Sequence, residues 1–179
     1  MIYYQNESLL IRGIEESDFS LIEEAFQKQG WNKPASQYAG YYREQQEGAR
    51  LVFVAFVSGA FAGYVTLLPN THTGPFAGKS IPEISDFNVL EVFQRQGIGS
   101  RLMDAAEKAA AGISRTVSLG VGLHAGYGSA QRMYVKRGYI PDGSGMWYRD
   151  VLLPPHATCD NDDDLVLYFS KELQGPSEK

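Results

Sequence analysis

Two stretches of the 179-residue chain hold residue types whose spacing points to chemistry. The first is Gln94-Arg95-Gln96-Gly97-Ile98-Gly99-Ser100, a glycine-punctuated turn that runs into an amphipathic segment with Ile98, Leu102, Ala106 and Ala109 on one face. The first turn of a helix has unpaired N–H groups and the positive end of the macrodipole, so such a turn suits a phosphate or pyrophosphate. Gly97 and Gly99 would remove Cβ atoms from that approach, and Arg95 and Arg101 would add charge. A tight strand-to-helix turn without a ligand accounts for the same glycine pair. The second stretch is Ile81 to Val92, where Glu83 and Asp86 stand in apolar surroundings. A carboxylate whose pKa is raised by apolar walls accepts a proton from an ammonium group near neutral pH, as acyl transfer to an amine requires. A carboxylate capping a loop or pairing with an arginine is the structural alternative for either residue.

These groups need elements to position them, and the periodicity supplies an order. Ser8–Ile14 reads as a first strand. A helix capped by Ser17 carries Phe19, Ile22 and Phe26 on one face and stops at Gly30. A second helix runs from Pro34 to Gly48, with Tyr38, Tyr41, Tyr42 and Gln45 at helical spacing. Leu51–Val57 and Ala60–Leu68 form a hairpin about Ser58-Gly59. Residues 69 to 80 form a polar loop with a surface histidine, His72, and Ile81–Val92 is the strand that feeds the glycine turn. A helix over Gly97–Ala111 ends at Gly112 and is followed by a strand over Arg115–Leu123. A short helix over Ser129–Arg137 places Ala130 and Tyr134 one turn apart, with Gly138 at its end. Pro141–Ser144 reads as a turn, and strands follow over Met146–Leu152 and Asp164–Ser170. The loop between those two carries Asp160, Asp162, Asp163 and Asp164: a solvated loop, or an acidic lip attracting a polyamine or aminoglycoside.

The glycine turn is neither a P-loop nor a dinucleotide fingerprint, since Gly-x4-Gly-Lys-Ser/Thr is absent and Arg101-Leu102 follow Gly99. Gln94-x-x-Gly97-x-Gly99 resembles the acetyl-CoA pyrophosphate loop of the GCN5-related N-acetyltransferase (GNAT) family. A second segment agrees: Ala130-x-x-x-Tyr134-x-Lys136-x-Gly138-Tyr139 is similar to the family's Asn-x-x-Ala-x-x-x-Tyr-x-Lys-x-Gly-Phe, with Tyr127 at the asparagine position. The resemblance spans about residues 8 to 173, with specific motifs only in 83 to 139. It implies an α/β fold in which a mixed, mostly antiparallel sheet of about seven strands is flanked by about four helices. Acetyl-CoA would lie where the strand ending near Val89 diverges from the strand starting near Arg115.

The resemblance also implies roles. Backbone groups of Phe87, Asn88 and Val89 would hold the pantetheine arm, with the Val89 N–H on the thioester carbonyl. Gln94, Arg95, Gln96, Gly97, Ile98, Gly99 and Ser100 would hold the pyrophosphate, and Ser129 and Lys136 would add cofactor contacts. Glu83 falls eleven residues before Gln94, where the histone-acetylating branch carries its base, and Asp86 acting through water is the other candidate. Tyr134 would protonate the leaving sulfur, against a plain core role. Helices one and two would wall the acceptor site, so that Trp31 or one of the tyrosines, Tyr38 or Tyr41 among them, would meet substrate; the resemblance does not say which. For any single tyrosine, packing on the core is the favoured reading. Ser129 or His124 would replace the missing asparagine, although for His124 a packed, hydrogen-bonded role is favoured over catalysis.

Composition bounds the rest. Apolar residues at 44% and aromatics at 12% suffice for one core, so a single domain over 1–179 is expected, with a frayed tail from 174. A net charge of −5 argues against nucleic acid and anionic membranes as partners and tolerates cationic substrates. One cysteine, Cys159, permits no internal disulfide, and no zinc-type spacing occurs, so no metal is expected. With no leader pattern and no long apolar run, a soluble cytoplasmic protein is expected. The expected activity is transfer of acetyl from acetyl-CoA to a primary amine of a small molecule or peptide. The alternatives are a longer acyl donor, or a non-catalytic acyl-CoA sensor or interaction domain of the same fold. A homodimer joined at a sheet edge is compatible with the resemblance.

Overall fold

The computed structural model describes residues 1–174, so most of the tail expected to fray from 174 lies outside the described residues. Those residues fall into two compact units whose division lies inside one strand and one helix.

The first unit comprises Met1–Leu68 and Ser85–Ala109. It holds β1 (Ile2–Gln5), β2 (Leu9–Gly13), α1 (Asp18–Lys28), α2 (Ala35–Gln46), β3 (Leu51–Val57), β4 (Ala60–Leu68), most of β5 (Glu83–Val89) and most of α3 (Ile98–Ala111). β1 through β4 are successive antiparallel neighbours. β5 runs antiparallel to β4, because Thr66 Oγ1 donates to the Ser85 carbonyl while the Leu90 N–H donates to the Ala62 carbonyl. β2 alternates buried and half-buried residues, whereas β3 and β4 are apolar almost throughout and are covered on both faces. Ile22 and Phe26, one turn apart on α1, pack with Tyr38, Val54, Phe61 and Tyr64 in a dry core. Burying each such side chain contributes about 1.5–3 kcal/mol.

β4 also fixes where β5 runs. A Cβ at Gly63 would sit 2.9 Å from Val89 Cα and closer still to the Asn88 carbonyl oxygen, so only glycine lets the two backbones approach this closely.

The second unit comprises Pro69–Ile84 and Ala110 onward, with β6 (Thr116–Gly122), α4 (Gly128–Lys136), β7 (Ile140–Tyr148), β8 (Val151–Leu152) and β9 (Leu165–Glu172). The start of β5 pairs parallel with β6, Glu83 opposite Ser118 and Ile84 opposite Leu119. β6 pairs antiparallel with β9 over seven rungs, β9 with β7, and β7 with β8. Among the described residues nine strands thus replace the expected seven or so.

The differences from expectation have local causes. β1 is short and half-polar, and its order comes from pairing with β2 rather than from its own pattern. Ser17 makes no side-chain cap. Asp18, 1% exposed, ties the approach to the helix instead: it accepts the Glu15 N–H at 2.8 Å and the Arg12 guanidinium at 2.7 and 2.8 Å. The turn expected at Pro141–Ser144 is an irregularity inside β7, with Gly143 and Gly145 at φ 84° and 95° and the register shifting between Pro141 and Met146. The strand expected over Met146–Leu152 folds back at Arg149-Asp150, both left-handed at φ 50° and 61°. Among the described residues no helix is long and apolar enough to cross a membrane.

Candidate active site

β5 leaves the extended path at Asp86, whose φ of 44° is left-handed, a conformation that a non-glycine residue keeps only where its surroundings hold it. Here the holding groups are explicit. Oδ1 accepts from Lys33 Nζ at 3.1 Å and Asn88 Nδ2 at 2.9 Å. Oδ2 accepts from the Tyr64 hydroxyl at 2.6 Å, the Tyr41 hydroxyl at 2.8 Å and Gln37 Nε2 at 3.0 Å. Five donors saturate a carboxylate that offers about four lone-pair sites. Gln37 and Tyr41 reach it together because they lie one turn apart on α2.

The charge acts back on its donors. Burial first, then Asp86, pushes the Tyr41 phenol up to about 12, and the same two causes raise Tyr64. Both hydroxyls therefore stay protonated and donating. Tyr38 is fully buried against Tyr41 and Tyr64, its phenol also raised by burial. Tyr38 thus takes the core-packing role, the favoured one of its two readings. Trp31 is 40% exposed and stacked on Phe26 with ring centroids 5.8 Å apart, so it stays within reach of solvent.

Beyond β5 the chain makes one 3-10 turn over Glu91–Phe93 and enters the glycine turn. Gln94 Nε2 donates to the Val89 carbonyl at 3.2 Å and Gln96 Nε2 to the Val92 carbonyl at 3.0 Å, so both side chains brace the turn from within. Gly97 is left-handed at φ 82°, with open space where a Cβ would stand. Gly99 serves packing instead, since its Cβ would lie 3.1 Å from the Phe87 ring. The Arg101 N–H bonds to the Gly97 carbonyl at 3.1 Å, so those of Ile98 and Gly99 precede the first helical bond of α3. The Arg101 guanidinium lies over the Tyr4 ring at 5.0 Å and pairs with Asp104 at 3.7 Å, facing a cavity of about 330 Å³ lined also by Asn6, Ser8, Gln96 and Gly97. The Leu90 N–H goes to β4, and successive N–H groups of a strand alternate sides, so the Val89 N–H points away from β4.

The second unit holds the other candidates. Glu83 is half-buried on the first rung of the parallel ladder, and its charge, after burial, raises the Tyr168 phenol. Tyr134 is 5% exposed, packs edge-on against Tyr139 at 5.9 Å, and has no hydrogen bond from its hydroxyl among the described residues. Burial, then Tyr127, raises its phenol and keeps the proton on. His124 closes a corner: its Nδ1 accepts the Gly126 N–H at 3.1 Å, and its Nε2 meets Asp163 at 2.9 Å, where the Tyr127 hydroxyl also donates. Ser129 and Lys136 are exposed on α4. The acidic loop is largely engaged with its neighbours, as Asp162 accepts from Tyr148 and Asp164 pairs with Arg149 at 3.4 Å.

Sequence reasoning missed Lys33, Gln37 and Tyr64 as partners of Asp86. Only the Gln37/Tyr41 spacing carried a local signal. Among the described residues no group of three or more His, Cys, Asp and Glu side chains is placed to hold a metal.

The turn at Gln94–Gly99 lies between β5 and α3, with Gly97 open and the first N–H groups of α3 preceding the first helical bond. The family model described as acetyltransferase (GNAT) family matches residues 16–139. Solved structures with the same fold include RimL, a ribosomal L7/L12 alpha-N-protein acetyltransferase in complex with coenzyme A, at TM-score 0.72 and 15% identity over 97% of this chain and 98% of that one. YncA, a putative acetyltransferase from Salmonella typhimurium with acetyl-CoA, aligns at 0.67 and 15% over 96% and 97%. Ard1 from Thermoplasma volcanium aligns at 0.66 and 22% over 93% and 99%. A search of curated protein sequences gave no significant match. The chain belongs to the acetyltransferase (GNAT) family, as an acyl-CoA-dependent N-acetyltransferase.

Proposed function

We propose that the whole chain works as one acetyltransferase domain that transfers acetyl directly to a primary amine of a small molecule or a peptide. The observation that carries this reading is the turn at Gln94–Gly99: its side chains brace it from within, Gly97 is open and left-handed, and the first N–H groups of α3 are left for an anion. These features fit the pyrophosphate of acetyl-CoA.

Bound acetyl-CoA supplies the thioester that the amine attacks. Backbone N–H groups from Arg95 to Ser100 hold its phosphates, with Ser129 and Lys136 as further contacts. Phe87 to Val89 hold the pantetheine arm, and the outward Val89 N–H polarises the thioester carbonyl. Glu83 takes the proton from the amine. Asp86 suits that role less well, because all its acceptor positions are in use. Tyr134 donates a proton to the departing sulfur, for which a buried phenol with its proton held on and no competing partner is suited. Trp31 and Tyr41 border the acceptor. RimL, similar in fold, is a ribosomal L7/L12 alpha-N-protein acetyltransferase, so peptide N-termini join small amines on the acceptor panel.

Thiol release from acetyl-CoA with a panel of peptides, polyamines and small amines tests the reading. Tyr134→Phe is expected to lower turnover by about 10²-fold or more, with little change in acetyl-CoA affinity. Unchanged turnover would remove Tyr134 from the mechanism. For Glu83→Gln the acidic limb of the pH–rate profile should be lost or displaced; an identical profile would move the base to Asp86 or to water.

A further inference from the structure

Lys33 lies on the connection between α1 and α2, outside both helices, yet its ammonium is placed with some care. It donates to Asp86 Oδ1 at 3.1 Å and to the Tyr64 hydroxyl at 3.2 Å, and it stands 5.8 Å from the ring centroids of both Phe26 and Tyr64. The Tyr64 hydroxyl gives its own proton to Asp86 Oδ2, and its oxygen accepts from Asn88 Nδ2 at 3.3 Å and from the ammonium. A carboxylate oxygen, a phenol oxygen and two aromatic faces form a complete receptor for a primary ammonium. It also opens to solvent: the Lys33 and Asp86 side chains are 22% and 19% exposed.

The remaining donors hold the receptor in shape without Lys33. Gln37, Tyr41, Tyr64 and Asn88 fix both carboxylate oxygens and would still do so if the lysine swung out. The lysine itself has only its long flexible stem and a non-helical backbone to rearrange. A strong, pre-shaped seat is thus paired with an occupant that is easily displaced.

We propose that Asp86, Tyr64 and Phe26 form an ammonium-binding seat that Lys33 fills in cis, and that a primary alkylammonium ligand enters by displacing Lys33. The seat confers selectivity for cationic ligands and sets their affinity by competition with a tethered ammonium. Identifying the ligand with the acetyl acceptor, or with a second amine on a polyamine acceptor, rests on the function proposed above; the seat itself does not.

The probe is n-butylammonium chloride, titrated calorimetrically into the full chain. Lys33→Ala empties the seat and is expected to bind the probe at least about ten-fold more tightly than the wild type, and Lys33→Ala/Asp86→Asn is expected to lose that gain. Equal affinity in wild type and Lys33→Ala, or no binding to either, overturns the proposal. Should Lys33→Ala unfold, the wild type still decides. With lysine side chains labelled with nitrogen-15, the Lys33 Nζ resonance should move towards that of a free lysine as probe is added, and an unmoved resonance overturns the seat. Acetyl-CoA titrated in parallel separates the two readings. Acetyl-CoA binding without probe binding rejects the seat alone, whereas probe binding without acetyl-CoA binding rejects the transferase reading alone.

Discussion

Asp86 and Gln94 are eight residues apart on one strand–turn–helix segment, and their surroundings differ in what they leave undone. Around Asp86 five side chains converge on one carboxylate, and a strained left-handed backbone is held by them. Around Gln94–Gly99 the side chains bond only to their own turn, Gly97 faces open space, and the first N–H groups of α3 are left over. The first region has side-chain partners for its carboxylate inside the protein. The second leaves backbone donors without partners in its own turn, which suits the anion proposed for it. A site that must hold a donor rigidly yet release it needs both, and this chain places them in one continuous segment.

The largest effect should come from breaking the closed region. Asp86→Ala removes the acceptor of five hydrogen bonds and leaves Lys33 without its counter-charge, a loss of about 3 kcal/mol in unfolding free energy measured with urea. Unchanged stability would mean that the cluster does not hold the fold.

Alkali should erode the same region. Tyr41 titrates at about 12 in the folded chain against 10.0 unfolded, and Tyr38, Tyr64, Tyr134 and Tyr168 are raised as well, burial being the largest cause throughout. Above pH 10 the unfolded chain releases phenolic protons that the folded chain keeps, so it binds fewer protons and stability falls as pH rises. The contribution is whole below pH 10 and lost as pH climbs through the folded values. Thermal unfolding followed with phenolate absorbance should show a falling melting temperature above pH 10, and a flat profile would contradict the burial of these phenols.

Gly63→Ala tests the link between the regions, since its Cβ would press on Asn88 and Val89. A cost of about 2 kcal/mol in stability is expected, together with weaker acetyl-CoA binding, because the displaced backbone is the one assigned to the donor. Loss of stability with intact acetyl-CoA affinity would separate the strand from the binding role. Smallest is Gly97→Ala. At φ 82° an L side chain costs about 1 kcal/mol, and acetyl-CoA affinity should fall by about five-fold. An unchanged affinity would mean that the turn does not need its conformation to bind.

How far these features could be read from sequence follows their range along the chain. The turn, α3 and the Ala130–Tyr139 segment are local patterns, and each appears where its residues predict. The hairpin about Ser58-Gly59 is local too. The Asp86 cluster is not: its partners lie 22, 45, 49 and 53 residues away, and only Asn88 is near. No spacing rule connects a lysine in a connection, a glutamine on a helix and a tyrosine inside an apolar strand. The sequence therefore marked Asp86 as unusual without showing that its acceptor positions were filled. β8 escaped notice for a different reason, because Arg149-Asp150 turn the chain in left-handed conformations normally signalled by glycine or asparagine. Ser17 shows a third limit: it makes no side-chain cap, and the polar contacts at this end of α1 run instead from Asp18 to Arg12 and the Glu15 N–H.

The most direct test of the account is calorimetric titration of the full chain with acetyl-CoA, alongside CoA and a longer acyl-CoA. Saturable one-site binding with acetyl-CoA preferred, weakened in Gly97→Ala, is the predicted result. Failure of all three to bind would contradict the account, reducing Gln94–Gly99 to a tight turn and withdrawing the roles given to Glu83 and Tyr134.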